Sequence, residues 1–500
     1  MAQSAVETRD GRGDAALTIL AVATCAGTGL AGSLAAGLGW TDAAFVCNAL
    51  TCLLLLAVGT RLVGGYNNLL CVFLFFHLIY GMSGPFAALY GEPLAPIFSV
   101  PYETDRYLVN LGLASVGLVL GMCVGLVTSG RTADETARIP MSSSQLAMGA
   151  VLFAATASGM ELLNLARVGI GSLVQGKAVY QSDTDALLLT MPSYEVAKIG
   201  VALLALWLAS RRADRDADAH ADRGRRWGLL IFVAFLPLLA ISLFLGRRGP
   251  LLDAFFVVAV GRTYALSLRR LRPKLVMSLL AVYFVMGMIF VNRAIIAYAA
   301  YSGDASDLVT RAFEPERIAT ALNPAATEFG SAFGNFSEYA KYDVAGPQYG
   351  RTYLESVALL IPGFMYPAIK PQPVAFAFRD RFFPSEAEMG AIGSTAYSSL
   401  LETYVNFREA GAFLIYLVLG FALVRLERRR FKRPSLFFVL AYLGSLPAAI
   451  VFHRSDFGAG ALSPVVYAVV LAGVAAVTLR VIAYATQPVI PGTRPFARPW

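Results

Sequence analysis

Twelve long apolar windows, each carrying few charges, leave this chain only one kind of environment to fold in. They cover 15–38, 43–60, 69–90, 107–128, 145–166, 194–210, 227–246, 250–268, 275–299, 410–424, 435–452 and 462–484. About 20 apolar residues cross a hydrocarbon core as a helix. Inside that core every backbone polar group must be satisfied by the protein itself, which leaves helices or closed barrels. Windows of this length predict an all-α, polytopic integral membrane protein of about 12 spans. Composition agrees, with 57% hydrophobic and 15% charged residues, against roughly 25% charged in a soluble domain. The eighth window is the weakest, because Asp253 and Arg262 shorten its apolar core. Parity of the termini argues for keeping it. The polar head Met1–Asp14 runs into the first window, and a second window follows at Ala43, so the first reads as a retained helix and not a cleaved signal.

A formal net charge of +8 raises the question of a nucleic-acid partner, but the basic residues sit in short clusters between apolar windows. With the N-terminus in the cytoplasm, 25 of the 41 Lys and Arg residues fall in cytoplasmic segments. Nine of the other 16 lie in or beside one long loop, 300–409, and long loops cross largely regardless of charge. The short segments alone divide 25 to 7, which places both termini inside and the long loop outside. The chain then divides into a nine-span bundle (1–299), a large periplasmic loop (300–409), three further spans (410–484) and a cytoplasmic tail (485–500). Within the loop, 353–369 is apolar but broken by Pro362 and Gly363. If it spanned, the cluster Arg425–Arg433 would land outside, so it reads as interfacial or re-entrant. The five cysteines all fall in apolar windows with no close CxxC pair, which argues against a disulfide framework or a zinc site.

Charges at the outer ends of spans are informative, because positive-inside bias does not account for them and their burial is costly. The turn Gly246-Arg247-Arg248-Gly249-Pro250 sets two guanidinium groups at the bundle rim, with Asp253 a turn deeper. His453-Arg454-Ser455-Asp456 lies between the last two windows, Arg293 near the end of the ninth, and Arg351, Arg379, Arg381 and Arg408 in the loop. One such residue alone reads as a snorkelling side chain. Several converging would suit a diphosphate, which an arginine fork grips in bidentate fashion. Other patterns read as structural. The run Asp214 to Asp222 is interleaved with arginines and cytoplasmic, and Asp183 with Asp185 repeats its spacing. His77 reads as a hydrogen-bonded packing residue, Asn335-Phe336-Ser337 as a chance match to the glycosylation pattern, and Gly117, Gly121 and Gly125 as one close-packing helix face.

Within 349–420 the chain carries Tyr349-Gly350-Arg351-Thr352-Tyr353, Leu360-Ile361-Pro362, Tyr366-Pro367, Lys370-Pro371 and Gly393-Ser394-Thr395-Ala396-Tyr397-Ser398. These lead into Glu402-Thr403-Tyr404-Val405-Asn406-Phe407 and Gly411. This order resembles the Wzy-type polymerases of O-antigen and exopolysaccharide repeat units. Where that family tends to have Gly directly after Asn-Phe, this chain has Arg408. The resemblance implies a GT-C-like glycosyltransferase of the bacterial inner membrane that joins undecaprenyl-diphosphate-linked oligosaccharides at the periplasmic face. It implies neither a metal nor another cofactor, since lipid diphosphate is the leaving group. It also implies a separate chain-length co-polymerase as partner. In that reading Glu402 is the general base. Arg248 and Arg454 act with it, and Arg247, Arg293, Arg351 and Arg379 bind substrate. An O-antigen ligase acting on lipid A core and a lipid-linked oligosaccharide flippase are the alternatives. Against the flippase stand the lack of a repeated half and the gathering of polar residues at the outer face.

Overall fold

The structure, a computed structural model, describes residues 11–63, 65–91, 94, 98, 101–128, 141–169, 184–213, 221–244, 249–264, parts of 277–295, 310–323, 328–342, 346–361, 371–384, 396–432 and 435–485. Every regular element among them is helical. The first eight are α1 Gly11–Gly37, α2 Thr41–Val63, α3 Leu69–Tyr90, α4 Thr104–Thr128, α5 Ser143–Val168, α6 Thr184–Ala213, α7 Ala221–Phe244 and α8 Gly249–Gly261. The long loop contributes α9 Pro315–Leu322, α10 Glu328–Lys341, α11 Arg351–Leu359 and α12 Val374–Phe382. The chain closes with α13 Ser399–Lys432, α14 Leu436–Gly444, α15 Leu446–Val451, a π-helical turn Gly458–Leu462 and α16 Ser463–Ala485.

Nine helices among the described residues are long and apolar enough to cross a membrane, and they coincide with windows one to seven, ten and twelve. Two more windows give shorter helices. The eighth is the 13-residue α8, and the eleventh divides at Ser445 into α14 and α15, of nine and six residues. Most of the ninth, 275–299, lies outside the described residues.

The tightest packing joins α4 to the later part of α13. Gly117, Gly121 and Gly125 face the backbone of Phe413, Leu417 and Phe421 in turn, and Gly420 answers against Leu118. Both sequences of contacts ascend together, so the two helices run parallel. Lipid offers apolar side chains no reason to leave it, and helices associate there by close van der Waals approach through small residues. Arg425 closes the seam by donating to the Thr128 carbonyl at the end of α4, 2.9 Å away, as basic side chains do at helix C-termini.

A second clamp lies at the end of the bundle that the charges assign to the cytoplasm. Glu427 and Arg430 are buried and 3.6 Å apart. Glu427 accepts from the Tyr442 hydroxyl at 2.6 Å and from the Leu69 amide at 2.9 Å, and Arg430 donates to the Asn67 carbonyl at 3.1 Å while lying over the Tyr264 ring. The start of α3, the end of α8, α13 and α14 are joined there. Arg430, counted above as a topological charge, is therefore a buried structural one.

The long loop is not a solvated appendage. In α10 the side chains of Phe333, Asn335, Phe336 and Ser337 are fully buried. Phe333 lies against Gly84 of α3, and Ser337 accepts from the Glu103 amide at 2.7 Å. Asn335, in the glycosylation pattern, donates to the Ala396 carbonyl at 2.9 Å and is closed to modification in this fold.

Adding a methyl at Gly121 drives it onto the Leu417 carbonyl, whereas at Gly159 of α5 it meets nothing within 4 Å. Gly121→Ala therefore lowers the midpoint of thermal unfolding in detergent. Gly159→Ala leaves it unchanged or raises it, since Ala gains about 1 kcal/mol over Gly in a helix.

Candidate functional site

Helix α13 is two helices. At Arg408 the backbone takes φ 58° and ψ −146°, a conformation that is nearly glycine's alone and costs a larger residue about 1–3 kcal/mol. The chain reverses there. The Ser399 and Tyr416 hydroxyls are 3.0 Å apart, although 17 residues of continuous helix would span about 25 Å. Gly411 fits against the Thr403 carbonyl with no room for a side chain. Residues 399–407 thus form a half-helix antiparallel to 409–432, with Ser399 to Asn406 buried. Its start is satisfied by protein, since Ser398 Oγ accepts the Leu401 amide at 3.2 Å and the Phe452 carbonyl accepts the Ser399 amide at 3.4 Å. The glycine expected after Asn-Phe from the family resemblance falls on this reversal. Glu402, the general base in the reading drawn from the resemblance, sits on this half-helix.

Two of the segments that carry the resemblance, 349–353 and 402–411, meet at this half-helix, and Pro362, Tyr366-Pro367, Lys370 and Gly393-Ser394-Thr395 lie outside the described residues. Gln348 and Tyr349 donate their amides to the carbonyls of Val405 and Asn406, at 3.1 and 2.9 Å. The Gly350 amide donates to Asn406 Oδ1 at 3.0 Å. Gly350 has φ 88°, and a side chain there would press on the Phe407 ring. Asn406 Nδ2 donates to Thr352 Oγ1 at 2.6 Å, and Thr352 donates onward to Glu402 Oε1 at 2.7 Å. The second carboxylate oxygen of Glu402 accepts the Phe457 amide at 2.5 Å. Glu402 is fully buried and joins α11, the half-helix and the turn 452–457. The Tyr353 ring stacks near Phe407 and meets Phe457 edge-on. Asp456, also buried and within electrostatic reach of Glu402, accepts the Ala459 amide at 2.8 Å.

The turn His453–Asp456, expected at the outer rim, lies within the bundle. His453 donates to the Phe73 carbonyl at 3.1 Å, only one turn into α3. The 15 residues of α14 and α15 reach about 22 Å, short of the roughly 30 Å hydrocarbon core. Two partial helices therefore end against each other inside the bundle, beside the rings of His77, Phe73, Tyr416 and Phe452. His77 bonds with Ser115 Oγ at 3.1 Å, in keeping with its reading as a packing residue.

Of the candidate site arginines, the three that are described each have an acidic group within reach. Arg351 pairs with Glu355 at 2.7 Å and its side chain is 76% exposed. Arg379 pairs with Asp380 at 2.6 Å and lies over the Phe376 ring. A hydrogen bond from Gln372, together with that pairing, holds the Asp380 carboxyl below its ordinary pKa. Arg454 is half-buried and within electrostatic reach of Asp253 on α8. Arg247, Arg248 and Arg293 lie outside the described residues, although α8 begins at the next residue, Gly249. Sequence reasoning passed over Lys198, which faces Asp253 at 3.9 Å and Glu195 at 2.6 Å. A lysine inside an apolar window was the signal available. Thr352 and Asn406 were present in the quoted motifs without a role. In the apolar segment 353–369, α11 buries Ser356 and exposes Leu354 and Val357, and 362–370 lie outside the described residues.

No family model matches this chain, and no curated protein or solved structure matches it.

Removing the Glu402 carboxylate strands the buried Thr352 hydroxyl and the half-buried Phe457 amide, and a buried donor left unmade costs about 1–3 kcal/mol. Glu402→Ala therefore lowers the unfolding midpoint clearly in a detergent melt. Glu402→Gln, which still offers an acceptor oxygen and a donor, stays near wild type.

Proposed function

We propose that this chain is a lipid-diphosphate-dependent glycosyltransferase that polymerises undecaprenyl-diphosphate-linked oligosaccharides at the periplasmic face of the inner membrane. The observation that carries this reading is the assembly of Tyr349–Tyr353 with Glu402–Gly411. Two segments that resemble the polymerase pattern, separated by some 50 residues, are joined by direct hydrogen bonds around Asn406.

In the proposed reaction an acceptor sugar hydroxyl attacks the anomeric carbon of the growing chain. The new C–O bond forms as the bond to the diphosphate oxygen breaks, and the lipid diphosphate leaves with the electron pair. Glu402 takes the hydroxyl proton. Thr352 Oγ1 already donates to Glu402 Oε1 at 2.7 Å, so the acceptor hydroxyl takes the place of a hydroxyl the carboxylate now holds. A positioned base contributes about 10²–10⁴-fold. Arg248 and Arg454, supported by Arg247, Arg293, Arg351 and Arg379, neutralise the diphosphate. A chain-length co-polymerase remains part of this proposal.

A second reading, translocation of lipid-linked sugar, is favoured by one observation. Two partial helices meet deep in the bundle beside buried His77 and His453, and broken helices at depth are a transporter feature. Buried polar side chains are not confined to the outer face, which removes that objection to a translocator.

Surface polysaccharide from a strain lacking the gene separates these readings on a gel. A polymerase leaves core with one repeat unit, restored to a ladder by wild type. Glu402→Gln and Arg248→Ala, at normal membrane levels, fall at least about 100-fold short. Bare core with long lipid-linked polymer behind it identifies a ligase, and bare core without polymer a translocator.

A further inference from the structure

Helix α11 is amphipathic in the wrong sense for a loop helix in water. Thr352 and Ser356, four residues apart and so on one face, are buried. The Thr352 hydroxyl donates to Glu402, and the Ser356 hydroxyl donates to the Thr352 carbonyl. The opposite face carries Leu354 and Val357, with Ile361 just past the helix end, and these are 72%, 50% and 37% exposed. The Arg351–Glu355 ion pair lies at the edge between the two faces. A helix that meets water buries its apolar stripe. In the same loop α12 does so, burying Val374, Ala375 and Phe378 and exposing Asp380 and Arg381.

What α11 packs on indicates what its apolar face meets. The Tyr353 ring meets Phe457 edge-on at 5.4 Å, and Ser356 lies against Gly458. Gly458 opens the π-helical turn that leads directly into α16, within one of the helices long and apolar enough to span. The exposed large residues in the first turns of α16 are Val465, Val466, Tyr467, Val469 and Val470, the surface that a spanning helix presents to hydrocarbon. The apolar face of α11 is therefore exposed beside the place where a lipid-facing surface starts. At the boundary of headgroups and acyl chains a helix buries an apolar face and keeps its charges toward water. Leu354, Val357 and Ile361 beside the Arg351–Glu355 pair follow that pattern.

We propose that α11 is seated in the leaflet that borders the long loop, with Leu354, Val357 and Ile361 against acyl chains and Thr352 and Ser356 turned to the bundle. One helix, about 10 Å across, then separates bilayer hydrocarbon from the buried Glu402. The charges downstream gave 353–369 an interfacial reading; the two faces of α11 are a separate observation and name the side chains that meet lipid. The inference holds whether or not the chain transfers sugars, and its test needs no polymer.

The full-length protein is placed in nanodiscs of phosphatidylcholine as Leu354→Cys, Val357→Cys and Arg351→Cys, each carrying a nitroxide label. Wild type labelled in parallel supplies the background from the five native cysteines. Collision with oxygen, which concentrates in hydrocarbon, and with a nickel chelate, which stays in water, gives the depth of each label. The expected result is that the labels at 354 and 357 lie about 5–10 Å below the headgroup boundary, while the label at 351 lies at or above it. Both apolar positions are exposed, so neither substitution disturbs the packed face of α11. Labels at 354 and 357 that collide mainly with the chelate put this face in water and overturn the proposal. Labels there that neither reagent reaches put protein over the face and overturn it as well.

Discussion

A peptide group that leaves its helix inside a membrane protein must find a partner in protein, because hydrocarbon offers none. The reversal at Arg408 meets that requirement and organises what surrounds it. The half-helix 399–407 starts against the Phe452 carbonyl and the Ser398 hydroxyl, and its last residues give their carbonyls to the amides of Gln348 and Tyr349. Glu402, in between, is bonded to α11 and to the turn after α15. Three stretches far apart in the chain are thereby held by the backbone needs of one short helix. The same needs explain why the turn 452–457 can stop inside the bundle, since His453 and Asp456 make backbone bonds there.

The half-helix is held in place by the helix behind it. Residues 409–432 lie on the glycine face of α4 so closely that backbone meets backbone, and the buried Glu427–Arg430 pair fixes their far end to α3, α8 and α14. Rigid helices carrying a re-entrant segment place functional side chains more firmly than a free loop does. The bonded chain from Asn406 through Thr352 to Glu402 is such an arrangement, and it lends the glycosyl-transfer proposal its geometry.

Nine of the spans were legible in the sequence because length and apolarity suffice to specify a membrane helix, and each of the nine long helices overlaps its window. The glycine face of α4 was legible for a similar reason, since spacing of four places small residues on one side. The reversal was not legible. It turns on the φ of one arginine, and the sequence 399–432 reads as helix on both sides of it. That Arg430, counted with the cytoplasmic charges, is buried was not legible, because composition does not distinguish a buried cation from an exposed one. His453–Asp456 was placed at the rim because a window of 18 residues counts as a span unless the break at Ser445 is known. Of the candidate site, the motif segments were visible in order, but their meeting at Asn406 is a tertiary fact.

The measurement that bears most directly on the proposed activity is made with the purified protein in vesicles containing one short undecaprenyl-diphosphate-linked oligosaccharide. The account predicts lipid-linked glycan lengthened by whole repeat units, with release of undecaprenyl diphosphate. Movement of the labelled oligosaccharide across the bilayer with no change in its length would contradict it.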